Sequence, residues 1–379
     1  MPGRLVRRVL LVAAGLVVCS PAGLARADAA GPTDYESVVV SIEPATPAID
    51  VEIIGGDSFV RLTVQLGTEV VVTGYFDEPY LRFTTDGSVE QNRRSPTVQL
   101  NEDRYADSDA TVNVGTAGEV AARVPEWERV ATGGTFVWHD HRSHWMARSA
   151  PPGKGPGDVV SDQILPLTVD GTPVSVRIVS TWQDEPSRIS LWAGAVVAAF
   201  AAMILLSVRR RQAWLLALAA AAATGIGWWQ YDSLPTDTDP SNMWFVLPGI
   251  AAASALIALS FGRTLLSHAL VLLGGLELAA WVYLRRDGMV RALLPTDAPY
   301  WLDRSVTAGA AVAAVAAAIA GGIALFRAPA VAAPPPTSAK RSSPKKSPAR
   351  KPAAKKSTGK GSGSRSSAST EVTTWGRRK

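Results

Sequence analysis

The residues of this chain best suited to chemistry are three histidines within six positions, His139, His141 and His144. The whole sequence of 379 residues contains only one further histidine, so the cluster stands out against the composition. Imidazole is the side chain most often used for metal binding and for proton transfer near neutral pH. Met146 follows two residues later, and its thioether sulfur favours copper over zinc or magnesium. We therefore interpret His139, His141, His144 and Met146 as candidate ligands of a metal ion, which we expect to be copper.

The segment that carries these histidines is expected to begin as a β-strand, because Thr135-Phe136-Val137-Trp138 is rich in β-branched and aromatic residues. Alternate residues of a strand share one face at a spacing of about 6.6–6.8 Å. His139 and His141 would then point together toward open solvent and share an ion through metal–nitrogen bonds of about 2.0–2.1 Å. A bend after this strand would bring in His144 as a third ligand.

A purely structural interpretation of the same run stays open. Asp140 and Arg142 would form an ion pair beneath Trp138, while Trp145 and Met146 would only pack against their neighbours. The histidines would then donate hydrogen bonds to nearby carboxylates, of which we consider Glu78, Glu102 and Asp103. Protonation sensing and catalysis by the imidazoles are two further alternatives.

Signatures of an enzyme are weak in the rest of the sequence. No spacing indicates a Ser-His-Asp arrangement, and Ser357-Thr358-Gly359-Lys360 lacks the strand and helix that surround a phosphate-binding loop. A zinc ion held by three histidines, with one open position for water, is the remaining catalytic alternative. We expect the protein not to be an enzyme.

Four motifs carry a resemblance to a known family. Residues 138–146 read W-H-D-H-R-x-H-W-M, and three charged motifs precede them: Glu78-Pro79-Tyr80-Leu81-Arg82, Asn92-Arg93-Arg94-Ser95-Pro96 and Asn101-Glu102-Asp103-Arg104-Tyr105. With these motifs the chain resembles a family of actinobacterial polytopic membrane proteins over most of residues 35–328. The resemblance implies an architecture and a host, and it implies no activity.

A looser resemblance is to periplasmic copper carriers of the copper-resistance C type. Those carriers are β-sandwiches, sometimes joined to a membrane domain of the copper-resistance D type, so the likeness implies copper binding. The chain departs from them at its expected mature start, Asp28-Ala29-Ala30, which has no histidine to ligate copper.

The charged motifs admit two interpretations. Their arginines could clamp an anionic ligand such as a phosphate or a carboxylate. We favour the alternative, in which they form ion pairs that fix long loops onto the domain. The groups concerned are Arg82, Arg93, Arg94, Arg104 and Arg142 with Glu78, Glu90, Glu102, Asp103 and Asp140.

The N-terminal segment 1–27 is predicted to be a cleaved signal peptide. Arg4, Arg7 and Arg8 precede an apolar stretch over 9–18, and Ala25-Arg26-Ala27 provides the small residues of a cleavage site. The only cysteine, Cys19, would leave with it. The mature protein would then contain no disulfide and no thiolate metal site.

Residues 28–187 are expected to form an external all-β domain, folded as a β-sandwich. Two hairpins are predicted, one at Gly55-Gly56 and one at Asp170-Gly171, because these turn residues lie between β-branched runs. A strand over 69–75 is expected to continue the meander from the first hairpin. The stretch 86–130 reads as irregular, and 150–157 reads as a loop.

Residues 188–328 are predicted to form a membrane domain with five spans, since five apolar stretches approach the length of about 20 residues that a bilayer requires. They cover approximately 189–208, 212–229, 243–262, 265–284 and 306–326. Basic residues at 209–211 and 263 are expected in the cytoplasm, and the acidic loop 231–242 outside. The loop 285–304 disagrees, because it has four arginines against three acids yet must lie outside. Glu277 is an isolated acid within the fourth span.

The C-terminal segment 329–379 is predicted to be a disordered cytoplasmic tail. From 334 onward it has thirteen basic residues and one acid, Glu371, in a Lys/Ser/Pro/Ala-rich composition. Removing its +12 and the +4 of segment 1–27 from the overall +5 leaves −11 for the body of the protein. Attraction to anionic lipids of the inner leaflet is the favoured role of the tail, and nucleic-acid binding is the alternative. We thus predict a multi-pass plasma-membrane protein.

Overall fold

The computed structural model describes residues 30–102, 104–105, 116–207, 212–262 and 264–327. The predictions for the signal peptide, for Asp103, for the basic residues at 209–211 and 263, and for the tail lie outside the described residues. Within them, an antiparallel β-domain is followed by a set of long helices. Both belong to one compact unit of the chain.

The β-domain contains ten described strands. They are β1 (Tyr35–Glu43), β2 (Ile49–Ile54), β3 (Phe59–Val64), β4 (Val70–Thr73), β5 (Pro79–Phe83), β6 (Ser88–Asn92), β7 (Trp127–Thr132), β8 (Thr135–His139), β9 (Val159–Val169) and β10 (Thr172–Trp182). Seven of them form a sheet in the order β1-β10-β9-β4-β5-β6-β7, and three form a second sheet in the order β2-β3-β8. Two short helices, α1 (Pro96–Leu100) and α2 (Ala117–Ala121), lie between β6 and β7.

The two sheets contribute to one hydrophobic core. Leu62 on β3 and Trp138 on β8 belong to it, together with Leu81, Leu165 and Ile178 of the larger sheet. Burial alternates along β10, as expected for a strand with one face on the core. Strand β8 is thereby fixed through Trp138, which is directly followed by the first histidine of the cluster.

Both predicted hairpins are confirmed. β2 pairs with β3 from Ile54 opposite Phe59 onward, and β9 pairs with β10 around Asp170 and Gly171. The second turn has a positive φ at both central residues, 46° and 80°, which matches the right-handed twist of the strands. The meander prediction is wrong, because β4 pairs with β5 and β9 in the other sheet.

The prediction of an irregular stretch over 86–130 is also wrong for the described residues. It contains β6, β7 and both short helices. Strand β6 reads Ser-Val-Glu-Gln-Asn, which has little intrinsic strand character, so its pairing between β5 and β7 decides its conformation. The five arginines of the charged motifs do form ion pairs, but only Arg82–Glu90 and Arg142–Asp140 use acids that were predicted. Arg93, Arg94 and Arg104 pair instead with Glu128, Glu126 and Asp57.

Five long helices follow the β-domain. They are α3 (Ile189–Ser207), α4 (Gln212–Asp232), α5 (Met243–Ser260), α6 (Leu265–Leu284) and α7 (Tyr300–Arg327). Four of them, all except α4, are long and apolar enough to span a membrane, among the residues the structure describes. Helix α4 contains Trp, Gly, Thr and Gln residues that lower its mean hydropathy.

Helix α7 begins at Tyr300, before the predicted start at 306. Its first turns contain Asp303 and Arg304, which a hydropathy pattern treats as a boundary. Both are buried, because Asp303 pairs with Arg285 and Arg304 donates to the carbonyl oxygens of Arg291 and Ala292. The partner of Asp303 and the hydrogen bonds of Arg304 allow both charged groups to lie within the first turns of the helix.

The loop between α6 and α7 is attached to the β-domain. Thr33 and Leu293 exchange two backbone hydrogen bonds of 3.1 and 2.8 Å, and Asp34 pairs with Arg291. Leu234, beyond the end of α4, packs against Phe59 of β3 and Val137 of β8. The strands that lead to the histidines thus rest on loops of the helical part.

The turn between β7 and β8 gives a test of how β8 is positioned. A Cβ on Gly134 (φ +72°) would lie 2.6 Å from the carbonyl oxygen of Val64, whereas a Cβ on Gly133 (φ +90°) meets nothing within 4 Å. We expect Gly134→Ala to destabilise the β-domain by about 1–3 kcal/mol more than Gly133→Ala, which has the same unfavourable φ without the clash. Hydrogen exchange of the β3 and β8 amides measures the difference. Equal protection in both variants would contradict this.

Candidate metal centre

The histidines are brought together by a strand end and a turn. β8 ends at His139, Asp140 caps a short 3₁₀ turn (His141–Ser143), and His144 follows in an extended conformation. The prediction that His139 and His141 lie on one face of a single strand is therefore wrong. The strand stops because the Asp140 side chain accepts a hydrogen bond of 3.0 Å from the Arg142 backbone and closes the turn.

The three rings nevertheless converge. Ring centroids are 5.2 Å apart for His139 and His141, 4.9 Å for His139 and His144, and 5.6 Å for His141 and His144. One nitrogen from each ring can be chosen so that all three lie within 4.8 Å of one another. Met146 is half-buried two residues beyond His144, and its role as a ligand stays a prediction.

The cluster is not open to solvent, contrary to expectation. His139 is 6 % exposed and His144 is 1 % exposed, while His141 is half-buried. The rings turn inward because the 3₁₀ turn folds the segment back over the end of the β-domain. An ion would approach on the side of His141, the most accessible of the three.

The partners of the ring nitrogens indicate which nitrogen of each buried ring carries hydrogen. His139 Nδ1 lies 2.9 Å from the carbonyl oxygen of Asn101, and His144 Nδ1 lies 3.0 Å from the carbonyl oxygen of Trp145. A carbonyl oxygen only accepts, so Nδ1 is the donor and the Nε2 of each neutral ring keeps its lone pair. These two Nε2 atoms face each other at 2.9 Å. Two lone pairs at this distance repel unless a proton or a metal cation lies between them.

A proton is disfavoured at this position. Burial lowers the pKa of His139 to about 4, with the positive charge of Arg104 acting in the same direction. Burial, Arg104 and the neighbouring His139 lower the pKa of His144 to about 2. Both rings are neutral at pH 7, so their Nε2 lone pairs are available to a metal without competition from protons.

A buried ion pair supports the turn, as the structural interpretation predicted. Asp140 accepts from Arg142 Nε and Nη2, both at 2.8 Å, and from Trp138 Nε1 at 3.0 Å. Burial alone would raise the pKa of Asp140, but the Arg142 guanidinium and the hydrogen bonds hold this pKa below its usual range. The carboxylate is therefore ionised and holds the turn between the histidines.

The predicted carboxylate partners of the histidines are wrong where they can be compared. His139 and His144 use backbone carbonyl oxygens at Nδ1, as described above. Glu78 instead accepts hydrogen bonds from Ser95 and Thr97, at the start of α1. Glu102 is exposed.

Tyr75 is a residue of the site that sequence reasoning missed. Its ring stacks on His141 with centroids 5.6 Å apart and an interplanar angle of 15°. Its hydroxyl accepts from the His141 backbone at 2.7 Å and donates to Asn101 Oδ1 at 2.5 Å. Tyr75 precedes His141 by 66 positions, and nothing in its local pattern marks it.

A second buried ion pair, also missed, lies behind the turn. Ser143 donates to the carbonyl oxygen of Asp57 at 3.0 Å, and the Asp57 carboxylate accepts from Arg104 at 2.6 Å and from Thr33 at 3.0 Å. Asp57 belongs to the β2–β3 turn, next to the predicted Gly55-Gly56 pair. The histidine turn is thereby connected to the hairpin that contacts the helical part.

The donor set suits a transition-metal ion. A tetrahedral site with bonds of about 2.0–2.1 Å separates two ligand nitrogens by about 3.3 Å, so the 2.9 Å between the facing Nε2 atoms needs only a small opening. Backbone carbonyls on the opposite ring nitrogens are the usual support for metal-bound histidines. Neutral imidazoles suit copper, zinc or nickel, whereas magnesium and calcium prefer oxygen ligands.

Comparisons with protein-family models, curated proteins and solved structures gave no match to this chain. The resemblance to actinobacterial polytopic membrane proteins, and the looser one to copper carriers, therefore stay predictions.

Proposed function

We propose that this chain is a membrane-anchored metal-binding protein in which His139, His141 and His144 hold one transition-metal ion, with copper as the first candidate. The observation that carries the proposal is the pair of Nε2 atoms that face each other at 2.9 Å. The Nδ1–H group of each ring donates to a backbone carbonyl oxygen, and burial disfavours a proton on either Nε2. A cation shared by the two rings removes the repulsion.

His141 is the third ligand in this proposal, and Met146 is the fourth. Stacking on Tyr75 limits the rotation of the His141 ring, and the backbone contact to the Tyr75 hydroxyl fixes its position. A soft sulfur beside three nitrogens supports copper over zinc. The proposed role is capture of the ion, without catalysis, because no base or substrate pocket accompanies the histidines in the sequence.

The cellular setting is part of the proposal. The β-domain (28–187) is a sandwich exported by the signal peptide (1–27), and five helices, including α4, span the plasma membrane within 188–328. Three of the four arginines that disagree with this orientation, Arg285, Arg291 and Arg304, are paired or hydrogen-bonded within the protein, so in the proposal they do not hold the loop in the cytoplasm. The disordered tail (329–379) stays in the cytoplasm and attracts anionic inner-leaflet lipids.

A second candidate is a non-catalytic envelope or scaffolding protein whose histidine run only stabilises one loop conformation. The buried Asp140–Arg142 pair and the near-complete burial of His144 favour it. In that case the Nε2 atoms would separate slightly and the site would take up no metal. The two candidate functions therefore differ in whether the protein takes up metal, which can be measured.

The test is metal uptake by the full chain in lipid nanodiscs. The protein is incubated with copper or silver ions, passed through a desalting column and analysed for bound metal. We expect one ion per chain, lost in His139→Gln/His144→Gln and retained in His268→Gln, which replaces the fourth histidine of the sequence. Equal uptake by the double variant and the native chain would refute the proposal. Hydrogen exchange of β9 and β10 verifies that the variants are folded. His141→Ala is a further variant that disturbs the fold less, because this ligand is only half-buried.

A further inference from the structure

We propose that helix α6 associates with α6 of a second copy of this chain, and that Glu277 pairs there with the partner's Glu277. The inference depends on α6 crossing the membrane, as proposed above, and it makes no use of the histidines. Its basis is a carboxyl group inside a long apolar helix that no described residue of its own chain satisfies.

Glu277 lies far from both ends of its helix. It follows the start of α6 at Leu265 by twelve residues, about 18 Å, and precedes the end at Leu284 by seven residues, about 10 Å. The Cα–Cβ bonds of a helix tilt toward its N-terminus, so this short side chain leans toward the more distant end. In a membrane-spanning α6 the carboxyl group therefore lies at a depth where a polar group without a partner is costly.

The rest of the chain provides no partner for this group. Within the part of the sequence that the structure describes, Glu277 forms no hydrogen bond and no ion pair, although it is half-buried. Arg285, the next basic residue along the chain, donates instead to Gln230 and Asp303. The hydrogen-bonding capacity of the carboxyl group is thus open to a group from another molecule.

Glu277 belongs to a stripe of α6 residues with the spacing of a coiled-coil seam. The members of this α6 stripe are separated by four, three, four, three and four positions: Leu266, Leu270, Leu273, Glu277, Ala280 and Leu284. Each of them is exposed or half-buried, whereas Gly274 and Leu278 of the same helix are buried. Leu270 also packs against the helix core and marks the border of the stripe. A repeat of about 3.5 residues keeps one stripe of a helix in contact with a partner helix.

Symmetry makes a second copy the occupant that fits this stripe. All copies of a chain enter the membrane in the same orientation, so a twofold axis relates two copies only along the membrane normal. Two α6 helices then run parallel, and each position of the stripe meets its own counterpart. Apolar surroundings favour the uncharged carboxyl group, which donates one O–H and accepts another, so two such groups satisfy each other. The small side chain of Ala280, one turn further on, lets the two backbones approach.

The experiment counts copies of the full chain in lipid vesicles by single-molecule photobleaching of a C-terminal fluorophore, over a range of protein-to-lipid ratios. Glu277→Leu removes the carboxyl group, and Glu277→Gln keeps a donor and an acceptor. Leu276→Ala is the matched control, because Leu276 is exposed on the same helix but lies outside the α6 stripe.

We expect two copies per spot for the native chain at high protein-to-lipid ratios. The ratio at which half of the chains are paired should rise about tenfold in Glu277→Leu and stay within about twofold of the native value in the other two variants. A single copy at every ratio would overturn the inference, as would equal pairing by the native chain and Glu277→Leu. Loss of pairing with unchanged metal uptake would leave the proposed function intact.

Cross-linking locates the contact. In a chain whose only cysteine is removed by Cys19→Ser, mild oxidation should link two copies of Ala280→Cys. Tyr283→Cys should stay unlinked, because Tyr283 is exposed outside the α6 stripe. Equal linking through both positions, or linking through residue 283 alone, would place the contact on another face of α6 and contradict the pairing of Glu277.

Discussion

Replacement of Asp140 by alanine is expected to destabilise the β-domain by about 3–5 kcal/mol, because it leaves the Arg142 guanidinium buried and unpaired. The side chains of Asp140 and Arg142 are 0 % and 12 % exposed. The Trp138 indole also loses its acceptor at 3.0 Å. Urea denaturation followed by pulse proteolysis of the β-domain measures the change.

The chain contains a matched control for this experiment. Arg177 and Asp162 form a pair with the same bidentate geometry, at 2.9 and 2.6 Å, but their side chains are 50 % and 44 % exposed. Exposed pairs contribute about 0–1 kcal/mol, so Asp162→Ala should change stability little. Similar losses in the two variants would show that burial does not govern the strength of these pairs.

The double variant Asp140→Ala/Arg142→Met separates the pair itself from the charge left behind. Since it removes both charges, we expect it to regain part of the stability lost in Asp140→Ala. It also removes the cap of the 3₁₀ turn that places His141. Metal affinity should therefore stay low in the double variant even where stability recovers.

Local sequence patterns were sufficient for the parts of the fold that short-range chemistry determines. The turn pairs Gly55-Gly56 and Asp170-Gly171 require a positive φ that few other residues adopt readily, so both hairpins could be located. The long apolar runs likewise marked the five helices, although Asp303 and Arg304 concealed the true start of α7. Their burial depends on partners that lie elsewhere in the chain.

The wrong predictions, the meander after β3 and the irregular stretch over 86–130, are explained by strand pairing between distant segments. The direction of the chain after β3 depends on which sheet accepts β4, and the short pattern of β4 fits either sheet. The weak strand β6 exists because β5 and β7 flank it. Neither fact is encoded in the residues of these strands alone.

The candidate site likewise combines features that sequence neighbours determine with features that distant segments determine. Spacing and residue type identified the histidines and the Asp140–Arg142 pair, because both depend on neighbours within a few positions. The inward turn of the rings depends on Tyr75, on the Asn101 carbonyl and on Asp57, which approach from distant segments. The structural and metal-binding interpretations are consequently compatible: a buried ion pair holds the turn, and the turn brings the nitrogens together.

Acidification is the second change with a large expected effect on the metal-free protein. The folded pKa of His139 is about 4, below the ordinary value of about 6.5, because the ring is buried. The unfolded chain therefore binds the proton first as pH falls. The free energy of unfolding keeps its full value above pH 6.5. It falls progressively between pH 6.5 and 4, by a total of about 3 kcal/mol for this residue.

His144 acts in the same direction over a wider range, since its pKa is about 2. Burial raises the pKa of Asp57, which works in the opposite direction, because that carboxyl takes up a proton more readily when folded. If the native chain is compared with a variant that also contains Asp57, the contribution of Asp57 cancels in the difference between the two proteins. The His139→Gln/His144→Gln variant serves this purpose, because glutamine does not titrate and Asp57 is untouched.

We expect the free energy of unfolding of the native β-domain to fall steeply from pH 6.5 to pH 4, by about 1.4 kcal/mol per pH unit for each buried histidine. The double variant should show a much flatter profile over the same window. Denaturation curves at half-unit intervals of pH provide the measurement. Parallel profiles would mean that the imidazoles already accept protons in the folded state, and the lone pairs that the proposed metal site requires would then be occupied at acidic pH.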